Sequence, residues 1–200
     1  MRSAGEATRE RILAAAKTEF AERGLAGARI NRIATEANAS KERLYAYFSS
    51  KEALFAAVTE RLVLDVTAET GAARGDMAAY VGLLFDNLAR NPENARLHDW
   101  LLVGRADQPE SAPQLLAFKR KIDDIREGQE SGLIDSTWDP AQLLIMLIEI
   151  AKTMAHPQDS LRPLLKGNRR ANSRAARRAA AVEAARKLSA PDAGLSSGTS

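Results

Sequence analysis

The 200 residues hold 29 Lys/Arg against 26 Asp/Glu, a net charge of +3, with 45% hydrophobic residues and no cysteine. This suits one large or two small globular domains, and it excludes disulfides and thiolate metal sites, as fits a reducing cytoplasm. The longest apolar run, Leu143 to Ile148, is too short to cross a bilayer and the first residues lack a signal-peptide core, so a cytoplasmic protein without membrane contact is expected.

Charge is unevenly spread. Residues 1–61 carry +3, residues 62–160 carry −7 and residues 161–200 carry +7. The acidic middle is a poor nucleic-acid surface, so the basic ends are the places to look.

In chain order, nearly every segment reads as helix, rich in Ala, Leu, Arg and Glu. Thr8 to Arg23 places Ile12, Leu13, Ala16 and Phe20 at helical spacing, and Gly24 sits where a helix stops. Residues 29–37 form a short second helix with Ile30, Ile33, Ala34 and Ala37 inward, and Ser40 caps a third over 40–48. Ser50 starts a long fourth helix with Leu54, Phe55, Val58 and Leu62 on one stripe. Gly71 and Gly75 break the pattern. Helices then follow over 77–90, over 92–104 behind Asn91-Pro92, over 113–131 up to Gly132, and from Asp139-Pro140 to about Met154. A basic helix over 172–188 comes last, and 191–200 has the composition of a disordered tail.

The stretch Asn38 to Phe48, NASKERLYAYF, carries the functional signal. Leu44 and Phe48, four apart, share the inward face of a short helix. Lys41, Arg43, Tyr45 and Tyr47 are left outward, with Glu42 and Ala46 between them. A bracing helix, a turn and a second short helix with exposed basic and phenolic groups is the sequence form of a helix-turn-helix. The guanidinium of Arg43 can bond a guanine edge bidentately. Lys41 suits a phosphate or a base acceptor, and Tyr45 and Tyr47 can donate to phosphate. Ser40 and Lys51 stand where helix starts approach a phosphate. Taken alone, the same residues also describe a basic surface helix with two half-buried tyrosines.

The wider context decides between these readings. Thr8 to Arg61 resembles the N-terminal DNA-binding domain of TetR-type transcriptional repressors. The resemblance rests on Ile12, Ala15, Ala16 and Phe20 before Gly24, then Ile33-Ala34, Ala37, Ser40-Lys41, Leu44-Tyr45, Tyr47-Phe48 and Ser50-Lys51-Glu52 with Leu54. Two places depart from the family pattern. Ala28-Arg29 stands where Thr or Ser usually opens the second helix, which removes a cap and supplies Arg29 as a phosphate contact. Asn38-Ala39 replaces a Gly and a β-branched residue in the turn, and Asn tolerates the left-handed conformation.

The resemblance implies an all-α chain. Residues 1–53 would be the helix-turn-helix domain and 54–190 a helical ligand-binding and dimerisation domain. It implies a homodimer on a palindromic operator in double-stranded DNA, released by a small, largely apolar effector, with no cofactor. The expected DNA contacts are Arg29, Ser40, Lys41, Glu42, Arg43, Tyr45, Ala46, Tyr47 and Lys51. The expected effector lining is Met77, Tyr80, Leu84, Phe85, Leu88, Leu97, Trp100, Leu101, Phe118 and Ile122, any of which could equally be plain core.

Residues 139–155 are apolar on more than one face, more than a surface helix needs. With the small residues of the last helix this suggests, ahead of a fully buried central helix, a four-helix twofold interface built from Leu143, Leu144, Leu147, Ile148, Ala151, Ala175, Ala179 and Val182. The arginines Arg169, Arg170, Arg174, Arg177, Arg178 and Arg186 are expected to pair with the acidic middle rather than to form a second DNA face.

An enzyme needs a site. His98 and Asp99 are adjacent and diverge on a helix, and His156 stands beside Pro157. Asp123, Asp124, Glu127 and Glu130 read as a solvated acidic face before they read as a metal site. No phosphate loop, nucleophile elbow or HExxH occurs.

Overall fold

The computed structural model describes residues 4–71, 75–104, 111–156, 170 and 172–191. Nine helices account for most of them: α1 (Ala4–Gly27), α2 (Ile30–Glu36), α3 (Lys41–Tyr47), α4 (Lys51–Thr70), α5 (Met77–Arg90), α6 (Pro92–Gly104), α7 (Ala112–Glu130), α8 (Pro140–Ala155) and α9 (Arg174–Ser189). The expected starts hold. Ser40 Oγ accepts the Arg43 N–H at 3.1 Å and Ser50 Oγ accepts the Ala53 N–H at 3.0 Å. Asp139 accepts from Ala141 and Gln142, with Pro140 in the first turn. Gly71 and Gly132 follow the ends of α4 and α7 at positive φ, and Gly75 takes positive φ ahead of α5.

The chain forms two compact units, and they do not follow the boundary expected at residue 53. The first comprises Met1–Asp65 and Asn91–Gln114, the second Val66–Arg90 and Leu115–Ser200. Residues 192–200, expected as a tail, lie outside the described residues.

In the first unit Ile12, Ala16, Phe20, Ile33, Leu44, Leu54 and Leu97 are fully buried, and the rings of Phe20 and Phe55 meet edge to face at 5.1 Å. Helix α6 joins this unit through Trp100, whose indole N–H donates to the Ala21 carbonyl at 3.3 Å. Gly24 makes that contact possible. Its φ is +64°, and a Cβ there would lie 2.7 Å from the Trp100 ring. Glu93 adds a bond from the Thr18 hydroxyl at 3.0 Å.

In the second unit α5, α8 and α9 pack on one another. Val81, Leu84 and Phe85 of α5, the row Leu143, Leu144, Leu147 and Ala151 of α8, and Ala181 and Ala185 of α9 are buried in this packing. A Cβ at Gly82 would stand 2.8 Å from the mobile end of Arg178 and 3.3 Å from Val182 of α9. The 131–139 segment is tied to the end of α9 by Trp138 Nε1 donating to Leu188 O at 3.1 Å and by the Asp135 N–H donating to Ser189 O at 3.0 Å.

This packing corrects the expected twofold interface. Leu143, Leu144, Leu147 and Ala151 are consumed inside their own chain, Leu147 at 0% exposure. Side chains filling their own core cannot also form the surface another copy meets. The apolar side chain that α8 leaves out is Ile145, 61% exposed, with Ile148 half-buried beside it. On α9, Ala175 and Ala179 are exposed and Val182 is half-buried.

Candidate nucleic-acid interface

The α2–turn–α3 element is built around one buried seam. Leu44 is 0% and Phe48 5% exposed, and these two fix which way α3 faces. Lys41, Glu42, Arg43 and Ala46 are exposed as a result, and Tyr45 is 41% exposed. The Lys41 ammonium lies 5.9 Å from the Tyr45 ring centroid, an i,i+4 cation–π pair on one flank.

The turn closes as a Schellman motif. The Ala39 N–H reaches Ala34 O at 2.9 Å, the Asn38 N–H reaches Thr35 O at 3.0 Å, and Asn38 takes φ 49°. Asparagine does here what glycine would do, as its tolerance for this conformation predicts. Arg11 of α1 steadies the turn by donating from Nε to Ala37 O at 3.1 Å.

Helix α2 starts without a side-chain cap of its own, as Ala28-Arg29 implied. The missing acceptor comes from α1. Glu19, 5% exposed, takes the Arg29 N–H on Oε1 at 3.1 Å and pairs with Arg23 at 3.5 Å and Arg32 at 3.4 Å. Nothing in the local sequence marks Glu19 for this part. Its buried position among Phe20, Ala16 and Ile12 was the only available signal.

Two expected DNA contacts carry internal bonds. Tyr47 donates its hydroxyl to Gly5 O at 3.1 Å, with its ring half-buried. Lys51 directs Nζ to the Ala26 and Ala28 carbonyls, 3.4 Å each, where α1 runs out. Arg9, not singled out from sequence, sits 5.4 Å over the Phe48 ring. Thus α1 is stapled to the reading element near both of its ends. Arg29 keeps an exposed side chain at the start of α2. The Glu42 carboxyl is held below the usual carboxylate range by its own backbone N–H first and by the Ser40 hydroxyl second, so it is an anion near neutral pH.

The expected effector lining is divided between the two units. Met77, Tyr80, Leu84, Phe85 and Leu88 are buried along α5, and Phe118 and Ile122 are half-buried on α7, all in the second unit. Leu97 and Trp100 belong to the first unit, where Trp100 is the strut on Gly24, and the Leu101 side chain lies outside the described residues. A groove of about 550 Å³ in the second unit is lined by Met77, Leu133, Arg178, Val182, Arg186 and Pro191 among others, and Met77 alone comes from the expected set.

Of the last arginines, Arg174 and Arg178 pair with the acidic middle as expected, both on Asp86. Arg178 bonds Asp86 at 2.8 Å and Arg174 approaches the same carboxylate at 3.8 Å, while Arg177 donates to the carbonyls of Met154 and Asn172. Arg170 is exposed, Arg186 pairs with Glu183 within α9, and Arg169 lies outside the described residues. The acidic face of α7 is likewise engaged: Asp123 meets Lys119 and Arg126 at 2.6 Å each. His156 sets Nε2 2.8 Å from Leu88 O. No helix among the described residues is long and apolar enough to cross a membrane.

Comparison with known proteins agrees with this geometry. Residues 12–58 match the model of the bacterial regulatory proteins of the tetR family, and residues 76–187 match the tetracyclin repressor-like C-terminal domain. The HTH-type transcriptional repressor SCO4008 of Streptomyces coelicolor is 40% identical over 148 residues, 73% of this chain and 77% of its own. The crystal structure of SCO4942 from the same organism superposes with a TM-score of 0.79 at 41% identity, covering 91% of this chain and 98% of that one. A TetR family transcription regulator of Marinobacter aquaeolei VT8 shares the fold at 20% identity, TM-score 0.73, covering 95% of this chain and 99% of that one. With a helix-turn-helix of the right geometry in front and a matching helical domain behind, the chain belongs to the TetR family of DNA-binding transcriptional regulators.

Proposed function

We propose that this regulator is a cytoplasmic repressor that binds a palindromic operator as a homodimer and lets go when a small, largely apolar effector binds. The observation carrying the reading is the Leu44–Phe48 seam, which holds Lys41, Arg43 and Tyr45 outward on a short helix behind a formed turn. The repressor sense draws support from the relative named a repressor at 40% identity. The homodimer is supported by Ile145, Ile148, Ala175, Ala179 and Val182, apolar groups that the chain leaves exposed or half-exposed. The effector reading leans on the apolar side of α5 and on the C-terminal domain match. An effector need favour the DNA-free state by only about 1–3 kcal/mol to weaken operator binding measurably.

Selection of bound fragments from random duplex DNA at low ionic strength tests this. The expected product is one inverted-repeat sequence, and a chain that enriches nothing removes the proposal. Binding by a dimer that no apolar compound in a thermal-shift screen stabilises would leave a repressor without an effector.

A further inference from the structure

Helix α3 offers more than a basic surface, because its three outward faces differ. A helix turns about 100° per residue. Measured from the direction opposite the Leu44–Phe48 seam, Ala46 lies on the pole and Glu42 within about 40° of it. Arg43 lies about 60° away, and Lys41, Tyr45 and Tyr47 lie about 100° or more away. The outer three also have partners on the protein: Lys41 stacks on Tyr45 and the Tyr47 hydroxyl is given to Gly5. A helix seated in a major groove with its seam toward the protein therefore turns Glu42, Arg43 and Ala46 to the base edges. One of the three is an acid.

In the first turn of α3 the acid already suits the helix N-terminus, held by its own backbone N–H and the Ser40 hydroxyl, so the question is what else its carboxylate meets in a groove. Near phosphates an anion lowers affinity for every sequence, so it is favourable only where it meets a donor. Glu42 is ionised, held so by its own backbone N–H and the Ser40 hydroxyl, and it can only accept. In the major groove guanine and thymine present acceptors and a methyl group, and only cytosine N4 and adenine N6 present donors. Adenine places the N7 acceptor next to its donor, where it repels the second carboxylate oxygen. Cytosine has a C–H there. Ala46, one turn on, is too small to hold Glu42 off the floor.

We propose that Glu42 reads a cytosine in each operator half-site by accepting a hydrogen bond from its N4 amino group. The inference rests on the proposed operator binding and goes beyond it by fixing one base and the residue that selects it.

The test is random-duplex selection with the wild-type chain and with Glu42→Gln. Position 42 is exposed, so the amide variant keeps the fold. The wild type should enrich cytosine at one position of each half-site. Glu42→Gln should lose that preference and move toward adenine, whose N6 and N7 an amide bonds bidentately. Discrimination at that position should fall by roughly 5- to 150-fold. If Glu42→Gln keeps the wild-type consensus and merely binds all duplexes more tightly, Glu42 acts only as a general charge and the inference is overturned. If the wild type enriches no sequence, the proposed function falls and this inference falls with it.

Discussion

The carboxylate of Glu19 accepts the backbone N–H of Arg29 at 3.1 Å, so α2 is capped by a side chain ten residues upstream on another helix. The same carboxylate meets Arg23 and Arg32, and it is almost fully buried. Removing it leaves a part-buried N–H without its acceptor and two arginines without their partner. Glu19→Ala should therefore cost about 2–3 kcal/mol in urea unfolding, more than the loss of an exposed cap. A loss below about 0.5 kcal/mol would mean that α2 does not depend on this acceptor.

Gly24 and Trp100 make a second long-range pair whose two halves can be separated. Gly24→Ala carries two penalties: a side chain at φ +64°, and a Cβ at 2.7 Å from the indole ring. The first is worth about 1–2 kcal/mol and survives any change at Trp100. The second disappears in Trp100→Ala. The double variant should thus be less destabilised than the sum of the single ones by about 1–3 kcal/mol, measured as a double-mutant cycle. Strict additivity would show that the ring moves aside freely.

Much of the first unit was legible from sequence because its determinants are local. Ser40 and Ser50 as caps, Asn38 in the turn, and Leu44 with Phe48 inward all depend on residues within four or five positions. Glu19, Arg9 and Arg11 were not legible, since each acts on a backbone or ring that sequence spacing does not bring near. The packing of Trp100 on Gly24 was not legible for the same reason. An aromatic residue on a downstream helix suits a pocket wall, and nothing nearby in sequence points to the glycine far upstream that receives it. On α8, apolar content was readable, but which apolar residues face inward depends on where α5 and α9 lie, so Leu143, Leu144, Leu147 and Ala151, expected at an interface, lie in the core, and Ile145 stays exposed.

The α8 correction changes what charge substitutions should do. Leu147→Glu buries an unpaired carboxylate in a filled core and should unfold the protein rather than separate two copies. Ile145→Glu, at an exposed position, should leave the thermal midpoint within a few degrees while converting dimer to monomer in sedimentation. A folded Ile145→Glu dimer would move the contact off this face of α8.

Lys121 gives the second unit a pH dependence of its own. It is nearly buried, points Nζ at the Gly71 carbonyl, and sits 4.9 Å from the Tyr80 ring centroid. Desolvation lowers its pKa from 10.5, and Asp124 partly opposes that shift. A lysine whose folded value is depressed burdens the native state while both states are protonated. The burden lifts as pH rises through the folded value toward 10.5. As pH rises toward 10.5 the wild type should therefore gain stability relative to Lys121→Met. Burial pushes the Tyr80 phenol upward instead, which removes stability only above its ordinary value of 10, so the comparison stays clear of it. A constant difference across that rise would mean that Lys121 is as well solvated folded as unfolded.

Arg43 and Lys51 separate reading from holding. Arg43 is exposed and is the one guanidinium on α3, so Arg43→Ala should cost about 1–3 kcal/mol of operator binding and loosen base preference, with folding unchanged. Lys51 lies at the start of α4 with Nζ on the Ala26 and Ala28 carbonyls. Lys51→Ala should weaken all duplexes alike and flatten the salt dependence of binding if the ammonium also reaches a phosphate. It should in addition lower the unfolding free energy by about 0.5–1.5 kcal/mol, because two carbonyls lose a donor. Titrations of operator and scrambled duplex at two salt concentrations, beside urea unfolding of both variants, resolve the two roles. Unchanged operator selectivity in Arg43→Ala would take base reading away from Arg43, and a full salt slope in Lys51→Ala would leave Lys51 a purely structural tie.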